Sequence, residues 1–137
     1  MKQDTKVLFV CHGNICRSAM AEYMCRYKYP HIECASRAVS NEESGNDIYP
    51  PAKRCLERHH IPYGRHYARK ISQSDYEYYD VIYVMDHSNM YYINRILDDK
   101  DHKIKMLCER DVEDPWYTGD FEGVYNQIDE ALDKMDL

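Results

Sequence analysis

The sequence lacks any long apolar run. The longest early one, Val7 to Cys11, falls far short of the ~7–15 residues of a secretory signal core or the ~20 of a membrane-spanning helix. On that ground the chain is expected in the cytoplasm, with no membrane partner. A basic excess is missing too: 18 Lys and Arg stand against 24 Asp and Glu, a formal net charge of -6, with the acids spread along the chain. That balance argues against nucleic acid or an anionic membrane as partner, so any anionic ligand needs a local trap. Neither repeats nor low-complexity tracts occur, and 137 residues suit one domain, 1–137, with a single core that needs no staples. The six cysteines (11, 16, 25, 34, 55 and 108) form an even set, yet a cytosolic domain of this size does not need disulfides. Reduced thiols are expected, with Cys25, Cys34, Cys55 and Cys108 assigned to packing.

What is present is an alternation of two patterns. Lys6 to Val10 and Val81 to Met85 are β-branched and aromatic without polar alternation, as strands buried on both faces of a parallel sheet read. Ile32 to Ser36 and Lys103 to Leu107 alternate more, as strands nearer an edge would. Between them apolar residues recur at three and four positions: Met20, Tyr23, Met24, Tyr27; Met90, Ile93, Leu97; and Phe121, Val124, Ile128, Leu132, Met135. Pro50 and Pro51 open a further helix through Ala52, Cys55, Leu56 and His59. This order predicts a single-domain α/β sandwich, with a four-stranded parallel sheet flanked by helices on both faces. Asn41 to Asp47, NEESGND, reads as the loop between the second strand and the second helix.

The chemistry concentrates just after the first strand, where open α/β sheets favour ligand binding. Cys11 to Arg17 fills that loop, and a helix starting near Arg17 lets the amides of His12 to Ser18 curl into a nest for an oxyanion. The same field favours Cys11 as a thiolate. Arg17 can hold two nonbridging phosphate oxygens through its planar fork while the amides take the others. Gly13 lets the backbone curl without a Cβ, and Asn14 tolerates a left-handed conformation. The bare spacing Cys-x5-Arg is weak evidence, since roughly 0.4 occurrences are expected by chance here. Its placement between a buried strand and an amphipathic helix is what makes it a phosphate-binding loop.

VCHGNICRS resembles the signature V-C-x-G-N-x-C-R-S of the low-molecular-weight protein tyrosine phosphatases. The resemblance runs on through Ser36 to Ala38 (SRA), His66 to Arg69 (HYAR), Met85 to Asn89 (MDHSN) and Asp114 to Tyr117 (DPWY). It implies phosphotyrosine hydrolysis through a phosphocysteine intermediate, with tyrosine-phosphorylated proteins or small aryl phosphates as substrates and with no cofactor. It implies catalytic roles for Cys11, Arg17 and Asp114, the last as acid for the leaving group and base for the hydrolytic water. His12, Gly13, Asn14, Ile15, Cys16, Ser18, Trp116 and Tyr117 are the implied substrate-binding residues, the two aromatics walling the cleft. Asn14, Ser18, Ser36 and His66 are implied to form a network supporting the loop. Cys16 is implied to trap oxidised Cys11 as a reversible disulfide. No metal is expected at Cys11, His12 and Cys16, which lack a second ligand pair.

Departures from the pattern bear on selectivity. Ala19 stands where the family usually has proline. Around Glu42 many relatives place an aromatic on the cleft rim, and this chain has NEES, so an acidic rim is expected to disfavour acidic peptides. The rival readings are an arsenate reductase on the same fold, which needs further cysteines that His87 to Leu97 does not contain; a protein-arginine phosphatase variant, which typically carries threonine where Ile15 sits; and a non-enzymatic phosphocysteine carrier, which lacks the acid, or phosphate-binding module, which usually loses the cysteine, whereas this chain keeps both Cys11 and Asp114. Oligomeric state is not encoded in any recognisable pattern.

Overall fold

The run Lys6–Cys11 forms β1 at the interior of the sheet in a computed structural model that describes residues 4–135. Along the chain follow α1 (Arg17–Lys28), β2 (Glu33–Ala38), α2 (Pro50–Arg58), α3 (Gln73–Tyr78) and β3 (Val81–Val84). Then come α4 (His87–Ile96), β4 (Ile104–Met106), α5 (Pro115–Thr118) and α6 (Phe121–Lys134). The four strands are parallel in the order β2-β1-β3-β4. The chain order therefore reverses direction across β1 and β3, which opens a crevice at their carboxyl ends.

Side-chain alternation along β1 builds two cores. Val7, Phe9 and Cys11 point to one face, into a cluster with α1, α2 and α6 residues such as Met20, Leu56 and Ile128. Leu8 and Val10 point to the other, against Tyr76, Ile82 and Ile93. Because strand side chains alternate with period two, Cys11 is the last residue of the α1 face and emerges where the strand ends.

Several boundaries differ from those read in the sequence. β2 runs two residues further, since Arg37 and Ala38 still pair with Val10 and Cys11; β3 and β4 are shorter than their apolar runs. α3 was not legible from apolar spacing. It is nucleated instead by a capping box, in which Ser72 Oγ accepts from the Asp75 amide while the Asp75 carboxylate accepts from the Ser72 amide. α1 is not amphipathic in its first nine residues: Arg17 through Cys25 are all buried, because the helix packs on β1 and β2 and also against α6. Tyr27, assigned by spacing to the buried stripe, is 58% exposed.

Candidate active site

The loop Cys11–Arg17 closes directly from the end of β1 into the first residue of α1. The left-handed residue of the turn is Asn14, with φ 65°. Gly13 is not at positive φ, and its missing side chain matters for space: a Cβ there would sit 3.3 Å from Glu43 Cγ. Asn14 is fully buried and tied at four atoms. Its amide N–H points to Cys11 Sγ at 3.3 Å, and its side-chain Nδ2 donates to Ser18 Oγ at 2.8 Å. Its Oδ1 accepts from the Arg69 amide at 3.3 Å, and its carbonyl accepts from His66 Nε2 at 2.7 Å. A carbonyl can only accept, so His66 carries a hydrogen on Nε2. These bonds offset the strain of a non-glycine residue at positive φ.

Ser18 Oγ lies 3.0 Å from Cys11 Sγ. Since Ser18 accepts from Asn14, its own hydrogen is free to point at the sulfur, with the Arg37 carbonyl at 3.4 Å as the poorer alternative. The sulfur thus faces two donors, the Ser18 hydroxyl and the Asn14 amide. Ser36 does not join this network. It pairs with Phe9, two positions before the end of the β1–β2 ladder, and its Oγ donates to Glu22 Oε1 at 2.6 Å. The expectation that it supports the loop directly is corrected: its hydroxyl is committed to Glu22 of α1 and makes no hydrogen bond to Asn14 or Ser18.

Arg17 is 2% exposed and its guanidinium is committed on one edge. Nη1 donates to Asp86 Oδ2 at 2.6 Å and to the Val112 carbonyl at 2.8 Å, while Nη2 lies 3.5 Å from Asp114 Oδ2. Burial works against the charge, but Cys11 and then Asp86 and Asp114 outweigh it and hold the Arg17 pKa above its ordinary value. Asp86 belongs to no site read from the sequence, although MDHSN held the signal: an aspartate at the end of β3 that also caps α4, accepting from the Asn89 amide through Oδ1. Asp114 caps α5, its Oδ1 accepting from the Trp116 amide at 3.1 Å, and Pro115 supplies the first helical position.

These groups line one cleft of about 160 Å³, bounded by Cys11, His12, Gly13, Asn14, Ile15, Cys16 and Arg17 with Asp114, Trp116, Tyr117, Glu42 and Glu43. Trp116 and Tyr117 are exposed, at 49% and 83%, so neither is packed beneath α6. Trp116 leans on Tyr49, ring centroids 4.5 Å apart, and the Tyr49 amide donates to the Ile15 carbonyl at 3.0 Å, which couples the aromatic wall to the loop. Glu42 reaches His12 Nε2 at 3.3 Å, and the other side of His12 meets Tyr92 edge-on from α4. Cys11 and Cys16 both line the cleft. Burial, followed by the charges of Cys11 and Asp114, pushes the Cys16 thiol well above the ordinary cysteine range, so Cys16 is a neutral thiol at neutral pH.

A thiol facing a backbone amide and a hydroxyl, with a clamped guanidinium and a carboxylate in the same cleft at the carboxyl end of a parallel sheet, defines a cysteine-dependent phosphatase. The comparisons narrow the class: residues 6–136 match the family model "Low molecular weight phosphotyrosine protein phosphatase", and the chain belongs to that family. It is 38% identical to the low molecular weight phosphotyrosine protein phosphatase of Homo sapiens, over 92% of this chain and 90% of the human protein. To the low molecular weight protein-tyrosine-phosphatase PtpA of Staphylococcus epidermidis it is 32% identical, over 94% and 90%. Among solved structures, SP-PTP of Streptococcus pyogenes superposes with a TM-score of 0.90 at 34% identity, over 94% of this chain and 89% of that one. Vibrio vulnificus Wzb in complex with benzylphosphonate gives 0.88 at 25%, over 95% of each.

Proposed function

We propose that the chain hydrolyses phosphotyrosine and related aryl phosphate monoesters through a phosphocysteine intermediate. The observation that carries this reading is the convergence of Cys11, Arg17 and Asp114 on one cleft, with the sulfur 3.0 Å from Ser18 Oγ and the guanidinium 3.5 Å from the Asp114 carboxylate. In the first step the Cys11 thiolate attacks phosphorus, the S–P bond forms, the bond to the phenolic oxygen breaks, and Asp114 gives that oxygen its proton. In the second, Asp114 takes a proton from water, the water oxygen bonds to phosphorus, the S–P bond breaks, and inorganic phosphate leaves with Cys11 again a thiolate.

Arg17 and the amides of the loop hold the equatorial oxygens, where charge spreads in a phosphoryl-transfer transition state. Asp86 and the Val112 carbonyl orient Arg17 through Nη1, leaving Nη2 on the side of the cleft carboxylate Asp114. Ser18 steadies the sulfur as a leaving group, and Asn14 and His66 hold the loop that aims the amides. Trp116 and Tyr117 take the faces of the aryl ring, and Ile15 adds apolar surface beside the loop. Glu42 and Glu43 make the rim acidic, so phosphotyrosines flanked by lysine or arginine are the preferred protein substrates.

Peroxide acts on this chemistry at Cys11. Oxidation to the sulfenic acid leaves Cys16 to attack sulfur as a thiolate after losing its proton, expelling hydroxide and forming a reversible disulfide. All six cysteines are free, as the cytoplasm would keep them, and no helix among the described residues is long and apolar enough to cross a membrane.

Turnover measured side by side on phosphotyrosine, phosphoserine, phosphoarginine and arsenate tests the assignment. Hydrolysis should be strongest on phosphotyrosine. A preference for phosphoarginine, or thiol-dependent reduction of arsenate in place of ester hydrolysis, overturns it.

A further inference from the structure

A second thiol sits among metal-ligating groups away from the cleft. Cys55 in α2 is fully buried, and His59, four residues on at the helix C-cap, projects from the same face. Glu122, in the first turn of α6, reaches across to both. One donor atom from each of these three side chains lies within 4.8 Å of the other two. Among the described residues this is the one group of three or more His, Cys, Asp or Glu side chains whose donors converge in this way.

The surroundings already hold two of the three donors in place. The His59 ring stacks flat on Tyr125, centroids 3.7 Å apart and planes 8° from parallel, and its Nε2 lies 2.6 Å from Glu122 Oε2. The other carboxylate oxygen, Oε1, accepts from Arg58 Nε at 2.7 Å. The sulfur of Cys55 faces the Phe121 carbonyl at 3.6 Å. Burial, with the nearby Glu122 charge adding to it, pushes the Cys55 thiol up to about 11, so without an ion this group is a neutral thiol in a site otherwise poised to give up electron pairs.

We propose that Cys55, His59 and Glu122 bind a zinc ion, with water as the fourth ligand. One thiolate, one imidazole and one carboxylate form a donor set suited to zinc and foreign to calcium or magnesium, which take oxygen ligands. Tetrahedral zinc at the usual bond lengths holds its donors roughly 3.2–3.8 Å apart. The present triangle reaches that spacing when the 2.6 Å His59–Glu122 contact opens by about 1 Å and the sulfur, within 4.8 Å of both donors, settles at the same separation. On binding, the Cys55 S–H bond breaks, its proton passes to solvent and an S–Zn bond forms. Zinc takes the place of the hydrogen between His59 Nε2 and Glu122 Oε2; that hydrogen passes to Nδ1 of a neutral ring, or to solvent from a protonated one, so the zinc-bound imidazole is neutral with its hydrogen on Nδ1. Two anionic ligands neutralise the ion, and Arg58 stays on the free carboxylate oxygen as the partner that orients Glu122.

The consequence is a clip between the end of α2 and the start of α6. Phe121, next to Glu122, packs on Tyr49 with ring centroids 6.1 Å apart, and Tyr49 is the ring against which the cleft residue Trp116 leans. The ion braces the aromatic wall from behind without entering the cleft.

The test uses full-length, chelator-treated protein carrying Cys11→Ser, which removes the cleft thiol as a competing ligand. Titration with Zn²⁺ by calorimetry should give one ion per chain and a raised Tm, and Co²⁺ as a spectroscopic substitute should give a thiolate-to-metal charge-transfer band. Adding Cys55→Ser should abolish the band, and His59→Gln or Glu122→Gln should each weaken Zn²⁺ binding about tenfold or more. Zn²⁺ binding without a charge-transfer band, a band that survives Cys55→Ser, or absence of binding overturns the proposal. Should Cys55→Ser fail to fold, unchanged affinity in both His59→Gln and Glu122→Gln overturns it equally.

Discussion

Asp86 holds Arg17 by a 2.6 Å hydrogen bond, between a guanidinium that is 3% exposed and a carboxylate that is 17% exposed. The pair joins the first turn of α1 to the end of β3, and it fixes the rotation of the guanidinium relative to the loop amides. Removing one partner of a buried pair leaves the other uncompensated, typically at ~3–5 kcal/mol, with the lower end appropriate for an aspartate that is partly open to water. Asp86→Ala should therefore lower the Tm and reduce kcat/KM on an aryl phosphate, while Asp86→Asn, which keeps an acceptor for Arg17, recovers most of the stability. Equal losses in the two variants would count against an orienting role. Arg17→Lys should remain nearly as inactive as Arg17→Ala, because a point ammonium cannot span Asp86, Val112 and two phosphate oxygens at once.

The proposed acid is tested by its leaving group. Asp114→Ala should slow hydrolysis of poor leaving groups by ~10²–10⁴, and much less for strongly activated phenols, which need no proton. A loss that stays constant across a series of substituted phenyl phosphates removes Asp114 from the proton transfer. Asp114 also caps α5, so Asp114→Asn, an equally good cap, serves as the control that separates the chemistry from the fold.

Asn14 and Ser18 make separable contributions. Ser18→Ala removes the hydroxyl beside the sulfur and should slow breakdown of the phosphocysteine more than its formation, so rapid quench should trap more phosphoenzyme at steady state. Asn14→Ala loses all the side-chain bonds and places an alanine at φ 65°, a backbone cost of ~1–2 kcal/mol. Asn14→Gly relieves that backbone cost and should be the more stable of the two while remaining catalytically impaired. Reversal of that order in thermal melts would mean the strain at this position is negligible.

Oxidation should depend on pH in a defined direction. The Cys16 thiol is pushed above its ordinary range, so the fraction able to attack an oxidised Cys11 grows tenfold for each pH unit below that raised value. Disulfide formation after a peroxide pulse should keep accelerating from neutral to mildly alkaline pH, without the plateau of an unperturbed cysteine. Mass spectrometry that finds Cys11 sulfinate and no Cys11–Cys16 disulfide removes the protective role.

The acidic rim predicts peptide selectivity. Glu42→Lys should raise KM for phosphotyrosine peptides with basic flanks and lower it for acidic ones. Exposed pairs are worth ~0.2–1 kcal/mol, a change of up to about fivefold, and it should shrink as salt is added. If Glu42→Lys treats the two peptides alike, the rim does not select.

Local patterns in the chain account for much of this arrangement. The apolar Lys6–Val10 segment, the turn after it and the amphipathic spacing of α6 all express contacts between near neighbours, and the parallel α/β architecture follows from their alternation. α1 is legible as a helix starting near Arg17 but its burial is not: covered by the sheet and by α6, its first nine residues are all buried, while Tyr27 lies exposed. Ser36 fails for a related reason: its residue type suits a hydrogen-bond network, but its partner, Glu22, is set by the packing of α1 on β2, which residue type does not reveal.

By itself, then, the sequence determined the kind of site: strand, tight turn and helix start are consecutive, so Cys11, the loop amides and Arg17 are brought together by backbone geometry that a short stretch encodes. The tertiary structure decided how that site is completed. Asp86, Val112 and Asp114 meet Arg17 only because β3 pairs with β1 and β4 with β3, with Val10, Val84 and Met106 in register at their carboxyl ends, and His66 and Arg69 reach Asn14 only because the segment after α2 returns to β2. The rim shared by His12, Glu42 and Glu43, and the Cys55, His59 and Glu122 triangle between α2 and α6, likewise arise from packing between segments far apart in the chain, where residue type alone carries no record of distance.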